Sequence, residues 1–378
     1  MKIIICGNYG ATNIGDELIL KGILKYLGAR TGAPTSANIN SRHEITVLSA
    51  NPGLTQRLHK INSMAVLPAG PRSFVKGMLG FSFLRTLSAI KKCDLFILGG
   101  GGLFDDTYPR ASLIWGIQAL AAHMYKKPLI ILANSFGPLK TFAAKLITRL
   151  VCDYSRLITV RDEGSKKLLQ QMGIKKKITV AADPAFGLTQ ADLCNKKPVK
   201  KTEKPYVVFA LRKSNKNFVQ LANLLDWIHK KYGFQIKLIS FQKIIQDNTG
   251  FQKKFSNKKF IHVLPYADDF CAIYKTIENA EAVVGMRLHS LILAILAEKP
   301  FLALTSFDKI KNLLASEGLA NLALDINDKN LSKNFKTAFE NLIKNQSSYI
   351  AAISLAKAKF QQKSEENKKA LTKALKSL

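Results

Sequence analysis

The chain has 378 residues, 47% of them apolar and 22% charged, which excludes bulk disorder and exceeds one ordinary hydrophobic core. Its 57 basic and 26 acidic residues give a formal charge of +31. That charge suits nucleic acid, an anionic membrane face or an acidic substrate, yet no zinc-finger, RRM or helix-turn-helix pattern accompanies it.

In chain order, β-rich runs fall at 2–6, 44–48, 95–98, 129–133, 157–161 and 178–181, with helical stretches at 16–27, 113–124, 142–152 and 163–172. Strands alternating with helices imply parallel βαβ units. The polar, Pro-bounded stretch 191–205 reads as a linker between a domain at 1–190 and a second α/β series at 206–330. That series has strands at 206–211, 235–240, 260–263, 282–285 and 300–304, and helices at 217–232, 268–278, 290–297 and 310–317. A helical tail follows at 331–378, with Phe335, Phe339, Leu342, Ile350, Ile353 and Phe360 at helical spacing and a frayed, Lys-rich end. The expected fold is therefore α/β, with two Rossmann-like domains facing a cleft.

No apolar run reaches the length of a membrane span, and the first residues lack a signal-peptide pattern, so a cytoplasmic protein is expected. The stretch 71–85 mixes apolar and basic residues and offers peripheral contact at the cytoplasmic face of the membrane, against the plainer reading of a helix covering the first sheet. Cys6, Cys93, Cys152, Cys194 and Cys271 are scattered and lack CxxC spacing, which reads as buried thiols with neither a disulfide nor a metal site.

Ligands of open parallel sheets gather at the carboxyl ends of the strands, so residues just after a strand carry the functional reading. Gly7 to Glu17 is glycine-rich and opens a helix, but has neither GxGxxG spacing nor a Walker A lysine. Within it Asn13 and Asp16 are ligand candidates, Asp16 also as a helix cap. Gly99 to Gly102 follow an apolar strand, and four consecutive glycines imply close approach by a ligand or another backbone. Gly101 and Gly102 lead to Asp105 and Asp106, which read as acceptors for sugar hydroxyls, a general base or a capping pair. Asn134 and Ser135 follow the next apolar strand, and Arg161 and Asp162 read as an ion pair beside a cap. In the second half, Arg287 and His289 stand two apart before an apolar helix, a fixed anion binder beside a proton donor. Arg212 and Lys309 each follow a strand of the second series and would converge with Arg287 on one rim.

Taken together, residues 7–20, the tetraglycine with Asp106, Asn134 to Pro138, Arg161 to Glu163, Asp183-Pro184, Met286 to Ser290 and Phe307 to Lys309 resemble the polysaccharide pyruvyl transferase family over roughly residues 1–320. The similarity is greatest to its bacterial cell-wall and S-layer-anchoring branch. The resemblance implies a GT-B-like fold, phosphoenolpyruvate as co-substrate with no separate cofactor or metal, and a saccharide acceptor, often ManNAc on a polyprenyl-diphosphate carrier. The product it implies is a pyruvate ketal across two sugar hydroxyls. By the same resemblance, Arg287 and Arg212 match donor-binding positions, His289 a catalytic one and Asp106 the acidic position after the glycines. The first domain then takes the acceptor and the second the donor. Asp105, Asn134 and Phe307 depart from the family pattern.

Two other readings compete. A glycosyltransferase on the same fold would use a nucleotide-sugar donor, and its mark would be a carboxylate gripping a ribose. A non-enzymatic polyanion binder would act through charge alone, with steep salt dependence, and would have no use for the tetraglycine or the Arg287–His289 pair.

Overall fold

The computed structural model describes residues 1–29, 43–70, 82–107, 110–194, 204–212, 218–243, 255 and 257–378. They form two compact units, Met1–Ala11 with Asp16–Leu188 and Gln361–Leu378, and Thr12–Gly15 with Thr189–Phe360.

The first unit runs β1 (Lys2–Cys6), α1 (Ile14–Tyr26), β2 (Glu44–Ser49), α2 (Pro52–His59), β3 (Asn62–Ala65), α3 (Ser82–Lys92), β4 (Leu95–Phe104), α4 (Ala111–Met124), β5 (Leu129–Phe136), α5 (Phe142–Tyr154), β6 (Leu157–Val160), α6 (Glu163–Gln171) and β7 (Ile178–Val180). The strands make one parallel sheet in the order β3-β2-β1-β4-β5-β6-β7. Continuous apolar strands such as Ile3-Ile4-Ile5 are what a parallel sheet covered on both faces requires. On one face Trp115, Ala119 and Ala122 of α4, Val151 and Cys152 of α5 and Leu169 of α6 close over Phe96, Leu98 and Ile131. On the other, Leu20, Ile23 and Leu24 of α1 close over Ile3, Ile5 and Ile97.

The second unit runs α7 (Gln190–Leu193), β8 (Tyr206–Ala210), α8 (Phe218–Tyr232), β9 (Gln235–Leu238), β10 (Ile261–Val263), α9 (Phe270–Glu278), β11 (Ala282–Gly285), α10 (Leu288–Leu296), β12 (Phe301–Leu304), α11 (Asp308–Ala315), β13 (Ala323–Leu324), α12 (Leu331–Lys344) and α13 (Gln346–Lys376). Its sheet is again parallel, in the order β10-β9-β8-β11-β12-β13. All of α10 from Ser290 to Leu296 is buried, as its unbroken apolar run demands.

Four expectations change. The tail at 331–378 is no separate element. Phe335, Phe339 and Leu342 are buried in the second unit, where Trp227 and Tyr232 meet Phe339 edge-on. Nor does its end fray: Ile353, Ala356, Phe360, Ser364, Asn367 and Leu371 are buried at steps of three and four along α13. The first three belong to the second unit and the last three to the first. Of the five cysteines, Cys194 and Cys271 form a disulfide across 77 residues, their Cα atoms 4.4 Å apart, because the end of α7 meets the start of α9. Cys6, Cys93 and Cys152 are buried thiols as expected. Finally, residues 12–15 lie with the second unit. Asn13 bridges to Gln242, the Ile14 amide donates to the Phe241 carbonyl and the Lys243 amide to that of Thr12. Most of the expected linker, 195–203, and residues 71–81 of the basic apolar stretch lie outside the described residues. Ser82 to Arg85 open α3.

Candidate active site

In the first unit the glycine-rich loop is fastened from below. Tyr9, 1% exposed, donates its hydroxyl to the Gly99 carbonyl at 2.7 Å. Burial pushes that hydroxyl well above its ordinary pKa and keeps it a donor. Glu17, wholly buried, accepts from the Gly10 amide at 2.7 Å and pairs with His59 Nε2 at 2.8 Å. Asp16 accepts from Asn8 Nδ2 at 2.7 Å, so its carboxylate engages the loop ahead of α1.

The tetraglycine lies inside β4, which runs on to Phe104 with a register shift against β5. The close approach is made by α1: a Cβ on Gly99 would stand 2.8 Å from Ile23 Cδ1, and one on Gly100 (φ +60°) 2.0 Å from Ile19 Cγ2. Those two glycines thus serve packing. Gly101 faces Asp16, whose Oδ1 would be 3.4 Å from a Cβ there, and Gly102 is exposed.

The polar residues beyond β4 and β5 are bound into the scaffold. Asp105, 8% exposed, accepts from the Thr107 amide. Asp106 Oδ2 accepts from the amides of Lys140 and Thr141 at 2.7 and 2.8 Å and from Thr141 Oγ1 at 3.0 Å. Thr141 in turn caps α5. Burial alone would raise the Asp106 pKa, but these three bonds outweigh it and hold the group below the usual carboxylate range. These bonds tie Asp106, expected as the acidic residue after the glycines, to the start of α5. Ala133 sits in the left-handed region at φ +53°, its amide donating to Thr159 Oγ1 at 2.7 Å. This kink turns Asn134 inward, where Nδ2 donates to the Leu98 carbonyl at 3.0 Å. Ser135 Oγ accepts from Arg161 Nε and donates to Asp162, both at 2.6 Å. Arg161 ion-pairs with Asp183 at 2.6 Å, and Asp162 caps α6 through the Ser165 amide. The expected Arg161–Asp162 pair is thus a chain Asp183–Arg161–Ser135–Asp162.

The second unit is built differently. Arg212, Arg287 and Lys309 follow β8, β11 and β12, adjacent parallel strands, so their backbones stand along one carboxyl edge of the sheet. All three side chains are partly exposed. The Arg212 guanidinium lies 5.1 Å from the Phe307 ring centroid, held by cation–π attraction. Helix α10 starts at Leu288, so Arg287 is its N-cap residue and His289 lies inside the first turn. The two therefore do not share an extended face as their spacing suggests. The first turn of α10 instead carries His289, and Ser290 closes that turn by donating its amide and its hydroxyl to the Arg287 carbonyl at 3.0 and 2.6 Å. Gly285 permits this start, since a Cβ there would come within 2.5 Å of Ser290 Oγ. Gly15 fixes the histidine: a Cβ there would lie 2.2 Å from His289 Nδ1. Asn13 Oδ1 accepts from the Gly15 amide at 3.1 Å and holds that turn. Asn13, expected with the acceptor loop, thus serves the histidine's surroundings in the second unit.

The model of the polysaccharide pyruvyl transferase family matches residues 13–308, a span that takes in all of these residues from Asn13 to Phe307. The chain belongs to that family. It is also 26% identical over 209 residues to amylovoran biosynthesis protein AmsJ of Erwinia amylovora. That match covers 49% of this chain and 49% of AmsJ, so the chain spans about half the length of the curated relative it matches. Among solved structures, HepE of Anabaena, in complex with UDP-glucose, is similar at TM-score 0.66 and 15% identity over 100% of both chains. The UDP-GlcNAc 2-epimerase of Neisseria meningitidis bound to UDP-GlcNAc gives TM-score 0.66 at 12% identity, covering 99% of this chain and 100% of that one. A glycosyltransferase from Rickettsia africae gives 0.58 at 14% over 97% and 98%. These likenesses show the fold, two parallel-sheet α/β domains of GT-B-like type.

Sequence reasoning included Gly15 and Glu17 in the glycine-rich motif without giving either a role of its own, and passed over His59. Gly15 carried a readable signal, a glycine inside a helix start, where its entropic cost requires a reason. Glu17 and His59 lie 42 residues apart, and no local pattern links them.

Proposed function

We propose that this chain is a phosphoenolpyruvate-dependent pyruvyltransferase that forms a pyruvate ketal on a saccharide in surface-polysaccharide biosynthesis, a lipid-linked ManNAc-type sugar among the acceptors that fit. The observation that carries the reading is the second unit's sheet edge: three cations on adjacent strand ends beside one histidine in a helix's first turn. Phosphoenolpyruvate has two anionic groups, a carboxylate and a phosphate, and one site of protonation, its methylene carbon. Arg287 and Arg212 suit the two anions by their planar forks, and Lys309 adds a point charge. His289 delivers a proton to the methylene carbon, and positive charge develops at the carbon bearing phosphate. A sugar hydroxyl attacks there, and its proton passes to the departing phosphate. Phosphate then leaves with the C–O bonding pair, and a second hydroxyl closes the ring and returns its proton to the neutral imidazole of His289.

The base that receives the hydroxyl proton is not Asp106 in this account, because its Oδ2 already takes three hydrogen bonds. No cofactor beyond the co-substrate enters the scheme. Thermal unfolding with and without phosphoenolpyruvate tests it. Ligand at a hundredfold excess over the wild-type Kd should stabilise by about 2.7 kcal/mol, and Arg287→Ala should cut that to under about 1 kcal/mol at the same concentration. A shift with UDP-sugars and none with phosphoenolpyruvate would hand the case to a nucleotide-sugar enzyme.

A further inference from the structure

In the first unit, α4 and α5 turn an uncovered apolar surface away from the sheet. On α5, Phe142, Leu146 and Leu150 recur every fourth residue and are 80%, 45% and 48% exposed. On α4, Leu113 and Met124 are 40% and 78% exposed. The two helices are in direct contact: a Cβ on Gly116 of α4 would lie 2.3 Å from Ile147 Cγ2 of α5. The rows therefore make one surface, about 12 Å long from Phe142 to Leu150.

Packing does not explain these side chains. The core-facing side of α5 is a different stripe, Ala144, Thr148, Val151 and Cys152, all buried. A contiguous apolar surface left open on a folded domain marks an interaction site. Its border is mostly cationic: Lys126, Lys140, Lys145 and Arg149 are exposed, against two carboxylates, Asp153, paired with Arg149 at 3.6 Å, and Asp106, bonded to the Lys140 and Thr141 amides.

We infer that this face docks on an anionic lipid surface. Phe142, Leu146 and Leu150 enter the boundary between headgroups and acyl chains, while Lys145 and Arg149 meet lipid phosphates. Charge selects the occupant. A second copy of the chain would bring the same cationic border and another +31 against it, whereas an anionic bilayer neutralises both. The assignment rests on α4 and α5 and is independent of residues 71–85, and it holds whichever donor the enzyme uses.

Sedimentation of the full chain with vesicles tests it, using phosphatidylcholine alone and phosphatidylcholine with phosphatidylglycerol. Binding to the anionic vesicles alone is expected, weakening as salt rises. The triple variant Phe142→Ser, Leu146→Ser, Leu150→Ser should lower that affinity by about tenfold or more, with the chain still folding cooperatively because the replaced side chains lie outside the buried stripe of α5. The single substitution Phe142→Trp should give a blue-shifted emission on anionic vesicles, a reading that survives if the triple variant fails to fold. Absence of wild-type binding, a triple variant that binds like the wild type, or a Phe142→Trp variant whose emission does not change on vesicles would overturn the inference. So would a wild-type dimer in sedimentation velocity that the triple variant dissolves, because the face would then join copies of the chain.

Discussion

The two parallel sheets of this chain place polar residues at the same kind of position, just past the strand ends, and use them in opposite ways. In the first unit those residues are consumed by the scaffold. Asp183, Arg161, Ser135 and Asp162 form one hydrogen-bonded chain, Asp106 holds the start of α5, and Gly99 and Gly100 make room for Ile19 and Ile23. In the second unit the cations Arg212, Arg287 and Lys309 stay partly exposed, and the fold's effort goes into seating His289 against Gly15. A strand-end position is thus an opportunity for chemistry: the first unit spends it on its scaffold, and the second leaves cations partly exposed there.

The contrast can be broken by mutation. On our account His289→Ala loses pyruvyl transfer by about 10²–10⁴-fold with its melting temperature nearly unchanged. Gly15→Ala should follow it in direction, because the added methyl displaces the ring. Steady-state rates beside melting curves would check both. Arg161→Ala should do the reverse, losing about 3–5 kcal/mol in denaturant titration by taking the ion pair from Asp183, which is 2% exposed. If that variant kept its stability and lost its rate, the first unit's network would be catalytic.

Asp106→Ala, which removes the acceptor for the Lys140 and Thr141 amides, should cost about 1 kcal/mol. Its pH dependence has a definite sign. The folded state holds this carboxyl below its ordinary value near 3.8, so its contribution is fully present above that value and lost as pH falls through the lowered folded pKa. Wild type and variant should therefore converge in stability only in strong acid, and convergence near neutral pH would contradict the assignment. Phe307→Ala, which removes the ring beneath Arg212, should weaken donor binding by a few-fold, about 0.5–1 kcal/mol, with kcat kept.

Much of the fold was legible because buried parallel strands are apolar throughout and helices carry a period near 3.6. What escaped has physical causes. The tetraglycine looks like a loop in sequence, but β4 continues through it because parallel pairing to β5 needs only backbone groups. The short α2 opens with Pro52-Gly53, which reads as a turn, and β3 is only Asn62–Ala65 with a partly polar surface. The Lys-rich end of α13 hid a buried stripe, since Ser364 and Asn367 take core positions through hydrogen bonds to Tyr26 and Thr159. At the site, the cations of the second unit were readable one by one. The transfer of Asn13 and Gly15 to the second unit and the Cys194–Cys271 disulfide depend on contacts between residues far apart in the chain, which no local pattern carries.

The central claim is that the sheet edge of the second unit holds phosphoenolpyruvate. Isothermal titration of phosphoenolpyruvate into the wild type, Arg287→Ala and Arg161→Ala tests it most directly. The account predicts saturable binding, weakened about 30–100-fold by Arg287→Ala through loss of a charge-assisted bidentate contact, and unchanged in the folded fraction of Arg161→Ala. Equal affinity in the wild type and Arg287→Ala, or loss of binding through Arg161→Ala alone, would contradict it.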